Sequence, residues 1–350
     1  MFKVVLLDHG YTSTEHEHRI ITAAGGRLFN ADGMPLSEAL RTCEDADAIV
    51  VRWRQITQEL IRTFRRCKLI VRYGVGTDNV DFAAATEAGI IVSHVPDYCI
   101  EEVSDHAIAL LLACVRLVVP NHLRLASGGW EQNPPLKMWR MRGRTLGLFG
   151  LGHIGQAVAR KMTGWGLKLL ATDPFVEPAR AAQLGVRLVD LNTLCRESDY
   201  LSLHVPLLPE TRHAIGRREL ALLRPGAILV NTARGPVLDT EALIEALEAG
   251  TLGAAGIDVF DPEPPPLGSP LRKNLRVVLS DHAAWYSEDS LDELHQTVAE
   301  EVVRACTGGL PRAIANFEVV GKLGRLAEWV PNDTARWQIK RLDILSAKQN

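Results

Sequence analysis

The hexapeptide Gly150-Leu151-Gly152-His153-Ile154-Gly155 constrains this chain more than any other stretch. It follows the apolar run Leu146 to Phe149 and opens the helix-like Gln156-Ala157-Val158-Ala159-Arg160-Lys161. Glycines at the spacing G-x-G-x-x-G occur in ordinary turns too, but between a strand and a helix they have a mechanism. The first turns the chain, the second lets backbone approach a pyrophosphate, and the third allows helix to lie on strand. His153 and Ile154 then bring the bare N–H groups of the helix N-terminus to the anion. Asp173 stands 18 residues after Gly155, at the end of the next strand run Leu167 to Thr172. A carboxylate there can accept bonds from an adenosine ribose diol. It repels a 2′-phosphate, and Pro174 and Phe175 add no cation, so the expected cofactor is NAD and not NADP.

Around this fingerprint, short apolar runs alternate with longer helix-like stretches, the pattern of βαβ units and mostly parallel sheets. Strands are expected at Val4 to Leu7, Ala48 to Val51, Leu69 to Arg72 and Ile90 to Val92, followed by a long helix from Glu101 to Val119. A second series gives Leu146 to Phe149, Leu167 to Thr172, Tyr200 to Leu203, Ala227 to Asn231, Ala254 to Val259 and Val277 to Leu279. These six strands suit one doubly wound sheet. The expected fold class is α/β with two Rossmann-like domains, which 350 residues with 47% hydrophobic side chains can furnish with cores. The loop from Ser127-Gly128-Gly129-Trp130 to Pro134-Pro135 reads as an arm or subunit contact, or as a plain surface connection.

Several classes are excluded. Lysine plus arginine number 39 against 42 acids, so no broad basic surface for nucleic acid or anionic lipid is expected. The longest apolar run, Ala107 to Val119, contains Arg116 and is too short for a membrane span. Met1-Phe2-Lys3 leads straight into Val4-Val5-Leu6-Leu7 with no secretory pattern, so the expected location is the cytoplasm. Six scattered cysteines form no C-x-x-C pair, which argues for reduced thiols and against zinc. His9, His16 and His18 with Glu15 and Glu17 make a metal site imaginable, but no second ligand cluster follows. A solvated loop and helix start is the expectation there, with no metal.

Three titratable residues lie at or beyond strand C-termini, where open α/β sheets hold ligands. Arg234 follows Ile228-Leu229-Val230, and its planar guanidinium can grip a carboxylate or a polarised keto oxygen. Glu263 sits between Pro262 and Pro264, and His282 follows Val277 to Leu279. A carboxylate bonded to an imidazole orients it and favours its protonated form, so Glu263 and His282 make a credible acid/base pair.

These stretches, with Val71-Arg72-Tyr73-Gly74-Val75-Gly76-Thr77-Asp78-Asn79-Val80-Asp81, Asn231 to Gly235 and Gly256-Ile257-Asp258-Val259-Phe260, resemble the D-isomer-specific 2-hydroxyacid dehydrogenase family. The match runs in order from about Val4 to Asn316. Phosphoglycerate dehydrogenases and glyoxylate reductases share these motifs. His282-Ala283-Ala284-Trp285-Tyr286-Ser287-Glu288 most resembles the C-terminal-binding-protein branch, dehydrogenase-like corepressors of animals. The resemblance implies a discontinuous substrate domain (1–100 and 287–318) around a nucleotide domain (101–286), and a homodimer. It also implies cofactor contacts from His204, Val205, Pro206, Thr232, Ala233, Ala284 and Asp258, the last facing the nicotinamide amide. Val75 and Gly76 would offer N–H groups to the substrate carboxylate, and Arg72 and Trp285 would line the pocket. Glu263 argues against the formate dehydrogenases, which carry glutamine. Val103 stands where many relatives have threonine, so no phosphate contact is assigned to it. The tail 319–350, with Trp329 and Trp337, shows no recognisable regulatory domain.

The expected reaction is the reversible reduction of a 2-keto acid to a D-2-hydroxy acid, with hydride from NADH and a proton from His282. Glyoxylate, hydroxypyruvate, 3-phosphohydroxypyruvate and 4-methylthio-2-oxobutyrate share the required head group. Arg52, Arg54 and Arg72 are candidate cations for a phosphate-bearing tail. The alternative is an NAD(H)-responsive dimeric module that presents a surface to a protein partner.

Overall fold

The computed structural model describes residues 1–132, 137–325 and 328. Pro134 and Pro135, and Trp329 and Trp337 of the tail, lie outside the described residues. The chain divides into two compact units, one formed by Met1–Tyr98 with the chain from Ser287 onward, the other by Cys99–Tyr286.

The first unit holds a five-stranded, wholly parallel sheet of β1 (Phe2–Leu6), β2 (Gly26–Asn30), β3 (Ala48–Val51), β4 (Leu69–Arg72) and β5 (Ile91–Ser93), in the order β2-β1-β3-β4-β5. Helices cover both faces, so the inner strands read as unbroken Val, Ile and Leu runs, and all four residues of β3 are inaccessible to solvent. Strand β2 is absent from the sequence expectation. It is the edge strand, with exposed Arg27 and Asn30 and only Gly26 buried, so no apolar run marks it. The helix Glu288–Cys306 returns to this unit and packs on the helix Glu15–Ala23 and on β4 through Leu294, Val298 and Val302. Asn316 fastens the end of that return: its Oδ1 accepts the Val92 N–H at 2.7 Å and its Nδ2 donates to the Ile90 carbonyl at 2.9 Å.

The second unit holds seven parallel strands: β6 (Thr145–Phe149), β7 (Lys168–Thr172), β8 (Val186–Leu188), β9 (Tyr200–Leu203), β10 (Ala227–Asn231), β11 (Leu252–Ile257) and β12 (Val277–Leu279). Their order is β12-β11-β10-β9-β6-β7-β8. Side chains alternate across the sheet. Leu146, Leu148, Ile228 and Val230 join one core cluster, while Phe149, Leu203, Leu229 and Ile257 join the other. The seventh strand, β8, is a three-residue edge strand with Arg187 exposed, and no apolar run announces it. The expected helix from Glu101 to Val119 is two helices. Ile100–Arg116 stops where Leu117 turns left-handed at φ 51°, and Val118–Ala126 follows. Among the described residues no single helix is long and apolar enough to cross a membrane. These two pass such a test only as a pair bent by 62°, and the first is a core helix with Ala107, Leu110, Leu111 and Cys114 buried.

The histidine-rich start departs from expectation. His9 is 3% exposed and Glu17 is inaccessible, so neither belongs to a solvated loop. Glu17 accepts a 2.7 Å bond from the Tyr73 hydroxyl and pairs with His295 Nδ1. Tyr11 packs edge-on against both Tyr73 and His295. Among the described residues no group of three His, Cys, Asp or Glu side chains could hold a metal ion.

Candidate active site

In the second unit every candidate lies at the C-terminal edge of the sheet, beyond β6, β7, β9, β10, β11 or β12. The three glycines have separable tasks. Gly150 has φ +100°, and a Cβ there would lie 2.8 Å from the His204 carbonyl. A Cβ on Gly155 would lie 2.3 Å from the Gly150 oxygen, so only glycine lets this helix approach the strand. Around Gly152 a Cβ would meet nothing within 4 Å. Gly152 is also the N-cap of the helix His153–Lys161 and has no side chain to cap it, so the first-turn N–H groups have no acceptor from a capping side chain.

Asp173, just beyond β7, accepts the Leu151 N–H at 2.8 Å and the Phe175 N–H at 2.9 Å, which fixes the carboxylate beside the glycine loop. His204 and Val205 form the wall against Gly150. Burial pushes the His204 imidazole down to about 4, so it is neutral at pH 7, and its Nε2 is buried without a partner. Thr232 Oγ1 is buried and unpartnered as well. An open cradle over Gly152, a carboxylate beside it and unsatisfied polar atoms at the neighbouring strand ends fit a dinucleotide.

His282 Nδ1 lies 3.0 Å from Glu263 Oε2. Arg234 follows β10 in a loop pinned by Asn231, whose side chain accepts from the Ala233 N–H and donates to the Arg234 carbonyl, both at 3.0 Å. That loop lies hard against the Glu263 loop. A Cβ on Gly235 would lie 1.8 Å from the Phe260 oxygen.

His282 itself is left-handed, at φ 57°, a conformation that costs a β-carbon-bearing residue about 1 kcal/mol. Asp258 holds it there. The Asp258 carbonyl accepts the His282 N–H at 2.9 Å, and its fully buried carboxylate accepts the Ala283 N–H at 2.9 Å, the Ala284 N–H at 3.2 Å and the Ser280 hydroxyl at 2.6 Å. Both Asp258 oxygens thus fasten the turn that carries His282 and Trp285. His106 completes this support, with Nε2 2.8 Å from Ser280 Oγ. Neither His106 nor Ser280 stood out in the sequence. His106 lies inside an apolar helix, 174 residues from its partner.

In the first unit, Asp8 gathers the N–H groups of Arg52, Trp53 and Arg54 at 2.9 to 3.1 Å. The Arg52 guanidinium lies 4.2 Å from the ring centres of both Tyr11 and Trp53 and donates to the His9 carbonyl at 2.8 Å. Arg72 folds over Gly74, where a Cβ would lie 2.0 Å from its Nη1.

Fold and glycine loop together fit a dinucleotide-binding α/β protein. The family model described as D-isomer specific 2-hydroxyacid dehydrogenase, NAD binding domain, matches residues 108–284, and the chain belongs to that family. It is 37% identical over 324 residues to D-3-phosphoglycerate dehydrogenase of Methanocaldococcus jannaschii, covering 91% of this chain and 62% of that protein. The chain thus spans less than two thirds of that relative. It is 37% identical to glyoxylate reductase of Thermococcus litoralis over 82% of this chain and 88% of that protein. The crystal structure of a glyoxylate reductase from Paecilomyes thermophila superposes with a TM-score of 0.82 at 28% identity, over 90% of this chain and 98% of that one. These relatives are named as dehydrogenases and reductases, so the corepressor-like alternative gains no support from them.

Proposed function

We propose that this protein reduces a 2-keto acid to a D-2-hydroxy acid, with NADH as donor and His282 as the proton source. The observation that carries the reading is the 3.0 Å contact of His282 Nδ1 with Glu263, at the same sheet edge as the glycine loop. With Nδ1 turned to Glu263, Nε2 is the ring nitrogen left to hold a proton for the substrate oxygen. Glu263 orients the ring. Arg234 polarises the keto group and acts on charge that grows in the transition state. Asp258 and Ser280 keep the His282 turn in place. In the first unit, the N–H groups of Val75 and Gly76 bind the substrate carboxylate, with Arg72 beside them. NADH, when bound along Gly150 to Gly155 and Asp173, supplies the hydride.

The working form is proposed to be a homodimer. The helix Val118–Ala126 buries none of its residues, and Val118, Leu123, Leu125, Trp130 and Trp139 are each half or more exposed. A second copy of the chain would cover this apolar face. The six cysteines are all free thiols, which suits a cytoplasmic location.

The test is NADH oxidation, followed by absorbance, with glyoxylate, hydroxypyruvate, 3-phosphohydroxypyruvate and 4-methylthio-2-oxobutyrate. Rapid consumption of one identifies the substrate. Silence across the panel, with NADH still bound, overturns the proposal.

A further inference from the structure

We propose that His94 is a positioning residue for the keto acid: its Nδ1–H holds the Val75 carbonyl, and this aims the Gly76 N–H at the substrate carboxylate. The inference rests on the reading above for what binds to the Gly74-Val75-Gly76 loop. His94 follows β5 directly and is 4% exposed. Its Nδ1 lies 2.7 Å from the Val75 oxygen. A carbonyl only accepts, so Nδ1 carries the hydrogen. Burial and the neighbouring Arg72 charge lower the pKa of the ring, so it is neutral and Nε2 carries none. That second nitrogen is buried with no partner.

The next residue repeats the contact one peptide earlier, for the Val95 N–H donates to the Gly74 carbonyl at 3.0 Å. Two successive loop carbonyls are therefore tied down by two successive residues, His94 and Val95. In a trans peptide the C=O and the following N–H point in opposite directions. Fixing the Gly74 and Val75 carbonyls on one side turns the Val75 and Gly76 N–H groups to the other, where neither donates to a backbone carbonyl among the described residues. Gly74, at φ +118°, supplies the backbone reversal that brings two consecutive N–H groups to one side. Arg72 Nη1, folded over the same glycine, adds a cation to what is otherwise an uncharged nest.

The side chain's shape provides a sharp test. In histidine Nδ1 is bonded to Cγ, and in asparagine Nδ2 is bonded to Cγ, so His94→Asn keeps a donor at that position. His94→Leu keeps bulk and removes the donor, and His94→Gln moves the donor one bond outward. Carboxylate binding is nearly equal in ground and transition states, so its loss raises KM for the keto acid and leaves kcat alone. The experiment measures kcat, KM for glyoxylate, KM for NADH, and oxamate binding in the presence of NADH for the whole protein and each variant. We expect His94→Leu and His94→Gln to raise KM and weaken oxamate about tenfold, the loss of roughly one buried hydrogen bond, with His94→Asn within about twofold of the parent. KM for NADH should not move. Should His94→Leu not fold, the Gln and Asn pair decides the matter. Equal behaviour of Asn with Leu or Gln, or a loss in kcat or NADH affinity, overturns the positioning role even if the parent is an active reductase. A parent that turns over no keto acid but binds oxamate in the same variant order overturns the reductase reading and supports the role of His94.

Discussion

The two sheets share one architecture, parallel strands with helices on both faces, yet they build their candidate anion sites differently. In the Cys99–Tyr286 unit the loop after β6 runs directly into the helix His153–Lys161, and a helix has no internal partners for the N–H groups of its first turn. In the other unit no helix follows β4 so closely. The next one begins at Phe82, and the Asp81 side chain already caps it by accepting the Ala84 N–H. There the loop Gly74 to Gly76 must be turned outward by its neighbours His94 and Val95. A helix terminus orients its own donors, whereas a loop needs a scaffold from the adjacent strand. The comparison predicts that damage to one site leaves the other's ligand unaffected.

The largest expected effect separates both sites from the chemistry. His282→Ala should lower turnover by about 10²- to 10⁴-fold, the usual range for a general acid. NADH and oxamate should still bind, and stopped-flow fluorescence with steady-state rates would check both halves. Unchanged turnover removes His282 from its role. Next comes the buried pair of the first unit. Glu17→Leu strands His295 and Tyr73 and should cost about 3–5 kcal/mol, as loss of one partner of a buried pair does. Hydrogen exchange should show the loss of protection in 1–98 and 288–316. An equal loss across 99–286 would mean that the two units do not differ as described.

A third substitution acts on the nucleotide unit alone. Gly155→Val places carbon against the Gly150 oxygen, an overpacking of about 1–3 kcal/mol, and should weaken NADH about five- to 150-fold in a fluorescence titration. KM for the keto acid at saturating NADH should stay put. A fourth effect, read from pH alone, concerns His204, whose folded value of about 4 lies below its ordinary 6.5. Between those values the unfolded chain binds a proton that the folded chain does not, so stability present above pH 6.5 is lost as pH falls toward about 4. His204→Asn should flatten that part of the stability curve in denaturant titrations at stepped pH.

What could be read in advance followed how far apart the interacting residues lie. The inner strands were legible because burial on two faces demands unbroken apolar runs, as in Ala48–Val51 and Tyr200–Leu203. Gly150 to Gly155 was legible because the whole device spans six residues. The edge strands Gly26–Asn30 and Val186–Leu188 were not, since half of each faces solvent and carries arginine. The break at Leu117 left no sign either, as leucine rarely turns left-handed. Glu17 looked like a surface residue until its partners, Tyr73 at 56 and His295 at 278 residues' distance, supplied the reason for its burial. Asp258 likewise showed its task only when Ala283, 25 residues on, was placed against it.

The closing of the first unit by Glu288–Cys306 and Asn316 has a consequence for the order of events on the ribosome. Its five strands emerge first, but His295 for Glu17 and Asn316 for β5 are made only after all of Cys99–Tyr286. At translation speeds of about 5–20 residues per second, that is an interval of about 10–40 s. Through that interval the nascent N-terminal sheet lacks the helix that covers β4, while the nucleotide unit, continuous in the chain, can already complete its core. The part synthesised first is the part that must be shielded longest.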